Sequence, residues 1–99
     1  MVNIYRGEVS IVLDTQKYVM VPSFSALVNI EDELQCSILD LVGKISNGKH
    51  FSIKEIEVII RCSVKNLDIV DLQEAICKTG LVKIFPNIIK FIENAIGGN

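Results

Sequence analysis

The sequence predicts an α+β fold in which an N-terminal β-hairpin precedes about five short helices. Apolar and polar residues alternate only between Tyr5 and Leu13, which is typical of a strand with one buried face. From Pro22 onward, apolar residues recur with the 3.6-residue period of helices. Because the two patterns are segregated along the chain, they favour α+β over a doubly wound α/β fold. The prediction divides the chain into a hairpin over residues 4–22, a helical part over residues 23–96 and a frayed tail over residues 97–99.

Length and composition predict a single globular domain spanning residues 1–99. The chain has 99 residues, of which 49% are hydrophobic and 22% charged, and a second core would need a longer chain. Its net charge of −2 provides no electrostatic attraction to nucleic acid or to an anionic membrane. The 3 cysteines lack C-x-x-C spacing, and no secretory signal or membrane-spanning run is evident. We therefore expect a cytoplasmic protein with neither nucleic acid nor membrane as a partner.

The hairpin prediction rests on two apolar segments separated by a polar tetrad. The first strand alternates through Val9, Ile11 and Leu13, and the second runs from Tyr18 to Pro22. The tetrad between them, residues 14–17, contains neither Gly nor Asn. A loop longer than two residues, built on a type I turn, is therefore expected instead of a tight type I′ turn.

The first two helices are predicted from serine caps and apolar periodicity. Ser23 is placed to cap the first helix, and Ser37 the second, which follows a break at Cys36. A loop over residues 46–50 offers Asn47 or Gly48 for a left-handed position. The expected apolar faces are Phe24, Leu27, Val28, Ile30 and Leu34 in the first helix and Ile38, Leu41, Val42 and Ile45 in the second.

Three further helices complete the prediction. Ser52 and Glu55 form a capping box at the start of the third, whose apolar face includes Ile53, Ile56, Ile60 and Val64. Asp68 is expected to cap the fourth, and Gly80 to end it. Because Pro86 lacks an N–H group, the last helix is predicted to begin near residues 83–85 and to end at Ala95 or Ile96.

No residue pattern indicates catalysis. The only histidine, His50, has no carboxylate nearby in sequence except Glu55 across the turn. Cys36, Cys62 and Cys77 are each interpreted as small buried apolar residues, because no base accompanies them. The sequence therefore predicts a protein without catalytic residues, and a small enzyme using one of the thiols is kept only as a distant alternative.

Metal, cofactor and DNA sites are excluded by residue type and spacing. The carboxylates of Glu31, Asp32 and Glu33 spread around a helix, so they do not converge on an ion. An EF-hand ending at Glu55 would place lysines at its first and sixth positions. A helix-turn-helix over residues 51–78 would present acidic side chains to phosphates. We expect no metal and no cofactor, and a DNA-binding regulator remains only a remote alternative.

Two segments resemble the gene-transfer-agent-type phage tail proteins, a small family grouped with tail assembly chaperones. The N-terminal resemblance lies in Arg6-Gly7-Glu8-Val9, Leu13-Asp14, Pro22 to Leu27 and Ile30-Glu31. The C-terminal resemblance lies in Gly80-Leu81, Pro86, Phe91-Ile92 and residues 95–98. The chain departs from the family pattern at Thr15, where a turn glycine is usual, and at Gln35-Cys36, where a charged residue and glycine often close the helix. A functional and a degenerate prophage copy are both compatible with these departures.

The resemblance implies a bacterial, non-enzymatic protein made with a phage-like tail. Its partner would be a tail tube protein, a tape-measure protein or both, and a homo-oligomer is compatible with it. We favour a chaperone that binds tail subunits before they polymerise, because two strands are few for a tube wall. The alternative is a structural component of the tail tube, incorporated into the particle.

The predicted partner-binding surface joins the hairpin's polar edge to the start of the first helix. An unpaired strand edge is a template for another chain, and the family resemblance concentrates there. The alternative is that the polar residues are merely solvated and that the phenylalanine belongs to the core. The proposed residues are Arg6, Glu8, Ser10, Lys17 and Phe24.

Overall fold

The computed structural model describes residues 6–97, and it confirms the α+β prediction. An antiparallel hairpin precedes five helices. The predicted hairpin residues 4 and 5 and the predicted tail residues 98 and 99 lie outside the described residues. The strands are β1 (Val9–Leu13) and β2 (Gln16–Met20), and the helices are α1 (Phe24–Leu34), α2 (Ile38–Ser46), α3 (Ile53–Ser63), α4 (Leu72–Thr79) and α5 (Leu81–Gly97).

The hairpin turn is tighter than the sequence predicted. Leu13 pairs with Gln16, so only Asp14 and Thr15 form the loop. Their φ angles of 47° and 73° are both positive, as a type I′ turn requires, so the prediction of a longer loop is wrong. The backbone twist of a type I′ turn matches that of the two strands, and this outweighs the poor suitability of threonine. The turn is also held from outside, because the Asp14 N–H donates to Thr79 Oγ1 of α4 at 2.8 Å.

The two outer edges of the hairpin differ. In a two-residue hairpin the residues flanking the loop are hydrogen-bonded partners, so the N–H and C=O groups of Ser10 and Val12 point away from β2. The outer edge of β2 is closed at one end, where Met20 bridges Val64 and the Val21 N–H donates to the Ser63 carbonyl at 3.0 Å. The outer edge of β1 is therefore the open edge of the sheet.

The helix caps follow the sequence signals with one exception. Ser23, Ser37 and Ser52 cap α1, α2 and α3 as predicted, the last two in capping boxes. The prediction that Asp68 caps the fourth helix is wrong, because α4 begins one turn later and Asp71 caps it. Asp68 Oδ1 instead accepts a hydrogen bond from the Tyr18 hydroxyl at 2.8 Å.

The last helix is longer than predicted at both ends. α5 begins at Leu81, directly after Gly80, and extends through Gly97, which the prediction assigned to the frayed tail. The Gly80 carbonyl accepts from the N–H groups of Lys83 and Ile84, so the first turn forms ahead of Pro86. Burial of one face of α5 favours the helix despite the bond that proline cannot make. The buried residues are Ile84, Ile88, Phe91 and Ile92.

A shared core joins the hairpin to the helices. Ile11, Leu13 and Met20 of the hairpin are fully buried against residues from all five helices. The prediction that Phe24 belongs to the buried face of α1 is wrong, because its side chain is 84% exposed. Ala26 and Ile30 are the buried residues of that helix. Among the described residues, no helix is long and apolar enough to cross a bilayer.

Candidate interaction surfaces

The predicted partner-binding residues lie on the hairpin, just before it and at the start of α1. Glu8 and Lys17 line one groove, on the β2 side of the hairpin. Ser10 lines another groove, along the open edge of β1. Arg6, which precedes β1, and Phe24, the first residue of α1, are both exposed and line neither groove. That these five residues bind a partner together stays a prediction.

The groove along β1, which we call the edge groove, combines a strand edge with two helices. Ser10 and Val12 line one side, and Lys78 and Lys83 line the other. A hydrogen bond and the charge of Glu74, followed by the charge of Asp14, raise the pKa of Lys78 above its ordinary value. The groove thus presents unpaired backbone groups facing two cationic side chains, a combination that suits an extended peptide segment.

Phe24 forms an isolated apolar projection. It follows Val21 by three residues, and the N–H of Val21 is bound to Ser63 at the C-terminal end of α3. The Ser23 side chain accepts from the Ala26 N–H, which caps the first turn of α1, where Phe24 stands. An exposed phenylalanine on a rigid helix start is a common anchor in protein interfaces.

An apolar depression, which we call the aromatic groove, lies at the other end of α3. The ring of Phe85 packs against those of His50 and Phe51, with centroids 5.5 and 5.7 Å away. The groove has a volume of about 330 Å³, and Val82 on its rim is 87% exposed. Its lining residues are His50, Phe51, Ile56, Leu81, Val82, Phe85 and Pro86.

Sequence reasoning missed the aromatic groove, whose lining comes from the loop before α3 and from the start of α5. A signal for the groove was present in the sequence. Residues 81–86 contain five apolar residues and one lysine, which is more than one helix face can bury. An apolar surplus around a whole helix turn indicates a second apolar face, and here that face is open to solvent.

Two of the three thiols have a raised pKa. Burial, a hydrogen bond to Glu33 and that residue's charge raise the pKa of Cys62 to about 11. Burial and nearby carboxylates also raise the pKa of Cys36. Cys77 is exposed, so its interpretation as a buried residue is wrong. Within residues 6–97 no three histidine, cysteine or carboxylate side chains are grouped so as to hold a metal ion.

Comparison with known protein families assigns the chain. The family described as "Phage tail tube protein, GTA-gp10" matches residues 6–97, which is nearly the whole sequence. The chain belongs to this family. No curated protein and no solved structure matches it.

Membership in the GTA-gp10 family confirms the resemblance to gene-transfer-agent tail proteins. It assigns the chain to the phage tail, where the family's role is structural. It also changes the order of the two functional hypotheses. The family description names the tail tube, so it supports the structural component better than the chaperone that the sequence analysis favoured.

Proposed function

We propose that this chain is a structural subunit of a phage-like tail tube, which acts by assembling with other copies of itself and with neighbouring tail proteins. Membership of the tail tube family over residues 6–97 carries the proposal. Such a subunit acts by binding its neighbours in a fixed geometry and not by catalysing a reaction. A cytoplasmic site of synthesis and later incorporation into the particle accord with this role.

A tube subunit needs two different contact surfaces, because heterologous contacts extend into rings or filaments whereas a self-complementary contact stops at a dimer. The chain offers exposed apolar side chains on three different elements. Val12 lies on the hairpin, Phe24 on α1 and Val82 on α5, and they are 48%, 84% and 87% exposed. Exposed apolar side chains on three different elements support growth by heterologous contacts.

The second candidate is a chaperone that binds tail tube or tape-measure subunits before they polymerise. The described residues form a sheet of only two strands, which is few for a tube wall. The open edge of β1 offers the N–H and C=O groups of Ser10 and Val12 to an extended segment of such a subunit. If the chain is a chaperone, the predicted partner-binding residues are Arg6, Glu8, Ser10, Lys17 and Phe24.

Light scattering at rising protein concentration, with electron microscopy of the same samples, separates the two candidates. A tube subunit is expected to grow in mass with concentration and to yield rings or filaments. A chain that stays small at every concentration, yet forms a defined complex with a co-expressed tail tube or tape-measure protein, would overturn the tube proposal. In that case Arg6→Ala combined with Glu8→Ala should weaken the complex without unfolding the chain.

A further inference from the structure

We propose that the edge groove binds an extended acidic segment of a partner protein, which joins the hairpin as a third strand beside β1. The proposal goes beyond the tube function and does not rest on it, because strand addition at this edge serves a tube subunit and a chaperone alike. The occupant is a peptide segment in strand conformation whose side chains include carboxylates.

The outer edge of β1 has two residues with free backbone groups. The outward-facing N–H and C=O groups of Ser10 and Val12 have no hydrogen-bond partner within residues 6–97. Beyond Val12 the edge is closed, since the Asp14 N–H donates to Thr79 Oγ1 at 2.8 Å. In antiparallel pairing each outward-facing residue exchanges two hydrogen bonds with the residue opposite. A short added strand opposite Ser10 and Val12 can therefore make up to about four backbone hydrogen bonds.

The side of α5 that borders the groove is polar and follows the strand. Asn94 Nδ2 donates to the Gly7 carbonyl at 3.2 Å, just before β1. Asn87 precedes Asn94 by seven residues, which places it on the same side of the helix and about 10 Å away. Ser10 follows Gly7 by three residues, an extended length of about 10 Å. In agreement with this spacing, Asn87 and Ser10 both line the edge groove.

Asn87 is placed to bind a strand added to β1. Its side chain is half-buried and, unlike that of Asn94, has no hydrogen-bond partner in the described part of the chain. An asparagine amide can both donate to a peptide carbonyl and accept from a peptide N–H. The groove has a volume of about 520 Å³, within the range of about 300–1,000 Å³ that is typical of binding sites. A segment in it can therefore bind β1 through one edge and the Asn87 amide through the other.

The charges around the groove favour an acidic segment. The charged residues that line it are Lys78, Lys83 and Asp14. Lys78 is already in an ion pair within α4, whereas Lys83 is exposed and in no ion pair within residues 6–97. Lys17 pairs with Val12 across the hairpin, so its side chain stands on the same face of the sheet, and it too lacks an ion pair among the described residues. Two unpaired lysines beside the free edge attract carboxylates and repel a cationic segment.

Two synthetic peptides test the proposal. One alternates valine with glutamate over about seven residues, a usual strand length, and the matched peptide has lysine in place of glutamate. In ¹H–¹⁵N NMR spectra at neutral pH, the glutamate peptide should shift the amide signals of Ser10 and Val12 and slow their exchange with solvent, because these N–H groups gain acceptors. The lysine peptide should bind about tenfold more weakly, and the difference should shrink in about 0.5 M NaCl.

Two matched variants locate the charge effect. Lys83→Glu reverses a charge at the groove, and Lys49→Glu makes the same change between α2 and α3, outside the groove. Both lysines are exposed and in no ion pair within residues 6–97, so both variants are expected to fold. Lys83→Glu should weaken binding of the glutamate peptide about three- to tenfold, whereas Lys49→Glu should leave it unchanged. Asn87→Ala should also weaken binding of both peptides, because the amide is lost.

The proposal is wrong if the glutamate peptide at millimolar concentration leaves the Ser10 and Val12 signals unchanged. Equal binding of the two peptides, or equal effects of Lys83→Glu and Lys49→Glu, would show that charge does not select the partner. Protection of both amides without peptide, together with a dimer in sedimentation velocity, would show that a second copy occupies the edge instead. None of these results decides whether the chain grows into a tube, which light scattering measures separately.

Discussion

The hydroxyl of Tyr18 donates to Oδ1 of Asp68 at 2.8 Å, which joins β2 to the loop between α3 and α4. The Gln16 side-chain amide lies 3.0 Å from the same hydroxyl. The Asp68 side chain therefore binds the hairpin and does not cap a helix. The contact ties the hairpin to a segment that lies 50 residues further along the chain.

The first prediction concerns the ionisation of Tyr18. The hydrogen bond to Asp68, burial and the negative charge of Asp68 raise its pKa above the ordinary value of 10.0. Because the folded-state pKa is raised, this contribution to stability is complete below pH 10 and is lost as the pH rises through the folded-state pKa. Tyrosinate absorbance of a Tyr5→Phe variant should show a raised pKa, and Asp68→Asn should lower it. Titration at the pKa of free tyrosine would contradict the contact.

The second prediction concerns the hairpin turn. Thr15 has a φ of 73°, which is costly for a β-branched residue and free for glycine. Thr15→Gly should raise the free energy of unfolding by about 1 kcal/mol, as measured by urea denaturation. Thr15→Ala keeps the Cβ atom and should give no comparable gain. Equal effects of the two substitutions would show that the turn is not strained.

The third prediction concerns the start of α3. The Ser52 side chain accepts from the Glu55 N–H at 3.1 Å, and Glu55 accepts in return from the Ser52 N–H at 2.8 Å. Ser52→Ala should lower the free energy of unfolding by about 1 kcal/mol, because one N–H at the helix start loses its partner. Ser46→Ala, an exposed change at the last residue of α2, should alter stability by less than about 0.5 kcal/mol. Equal stabilities of the two variants would contradict the capping role.

The fourth prediction concerns stability in acid. Burial alone would raise the pKa of Glu55, but the ion pair with Lys44 and the hydrogen bonds from Ser52 lower it below its ordinary value. Because the folded-state pKa is lowered, the ionised Glu55 contributes to stability at pH values above its unfolded-state pKa of about 4.5. This contribution is lost as the pH falls through the folded-state pKa. Glu55→Gln keeps the capping geometry and removes the charge. Its stability should therefore fall less between pH 5 and about 3 than that of the unaltered chain.

The fifth prediction concerns thiol reactivity. Cys77 is exposed, whereas burial and Glu33 raise the pKa of Cys62 to about 11, so little Cys62 thiolate exists at neutral pH. Peptide mapping after brief alkylation at pH 8 should find Cys77 modified well before Cys62. Glu33→Gln should accelerate the modification of Cys62. Preferential labelling of Cys62 in the unaltered chain would contradict its environment.

Features fixed by neighbours in sequence could be predicted. The serine caps of α1, α2 and α3 need only residues within one helical turn, and all three formed as expected. The segregation of strand and helix periods likewise gave the fold class.

Features decided by distant contacts could not. Asp68, the predicted cap of the fourth helix, accepts a hydrogen bond from Tyr18, 50 residues away along the chain, and Asp71 caps α4. Phe24 continues the apolar period of α1, but the helix is rotated so that Ala26 and Ile30 face the core. The composition of residues 81–86 indicates a second apolar face. That the loop before α3 packs beside this face and so forms the aromatic groove is a contact between distant segments, which no local pattern predicts.

The bridge between Met20 and Val64 sets a limit on how copies of this chain can join through their backbones. Within residues 6–97 this bridge closes the outer edge of β2 at its Met20 end, whereas the outer edge of β1, at Ser10 and Val12, carries no such bridge. A second chain that joins the hairpin by backbone hydrogen bonds is therefore expected to pair with β1 and not with the Met20 end of β2.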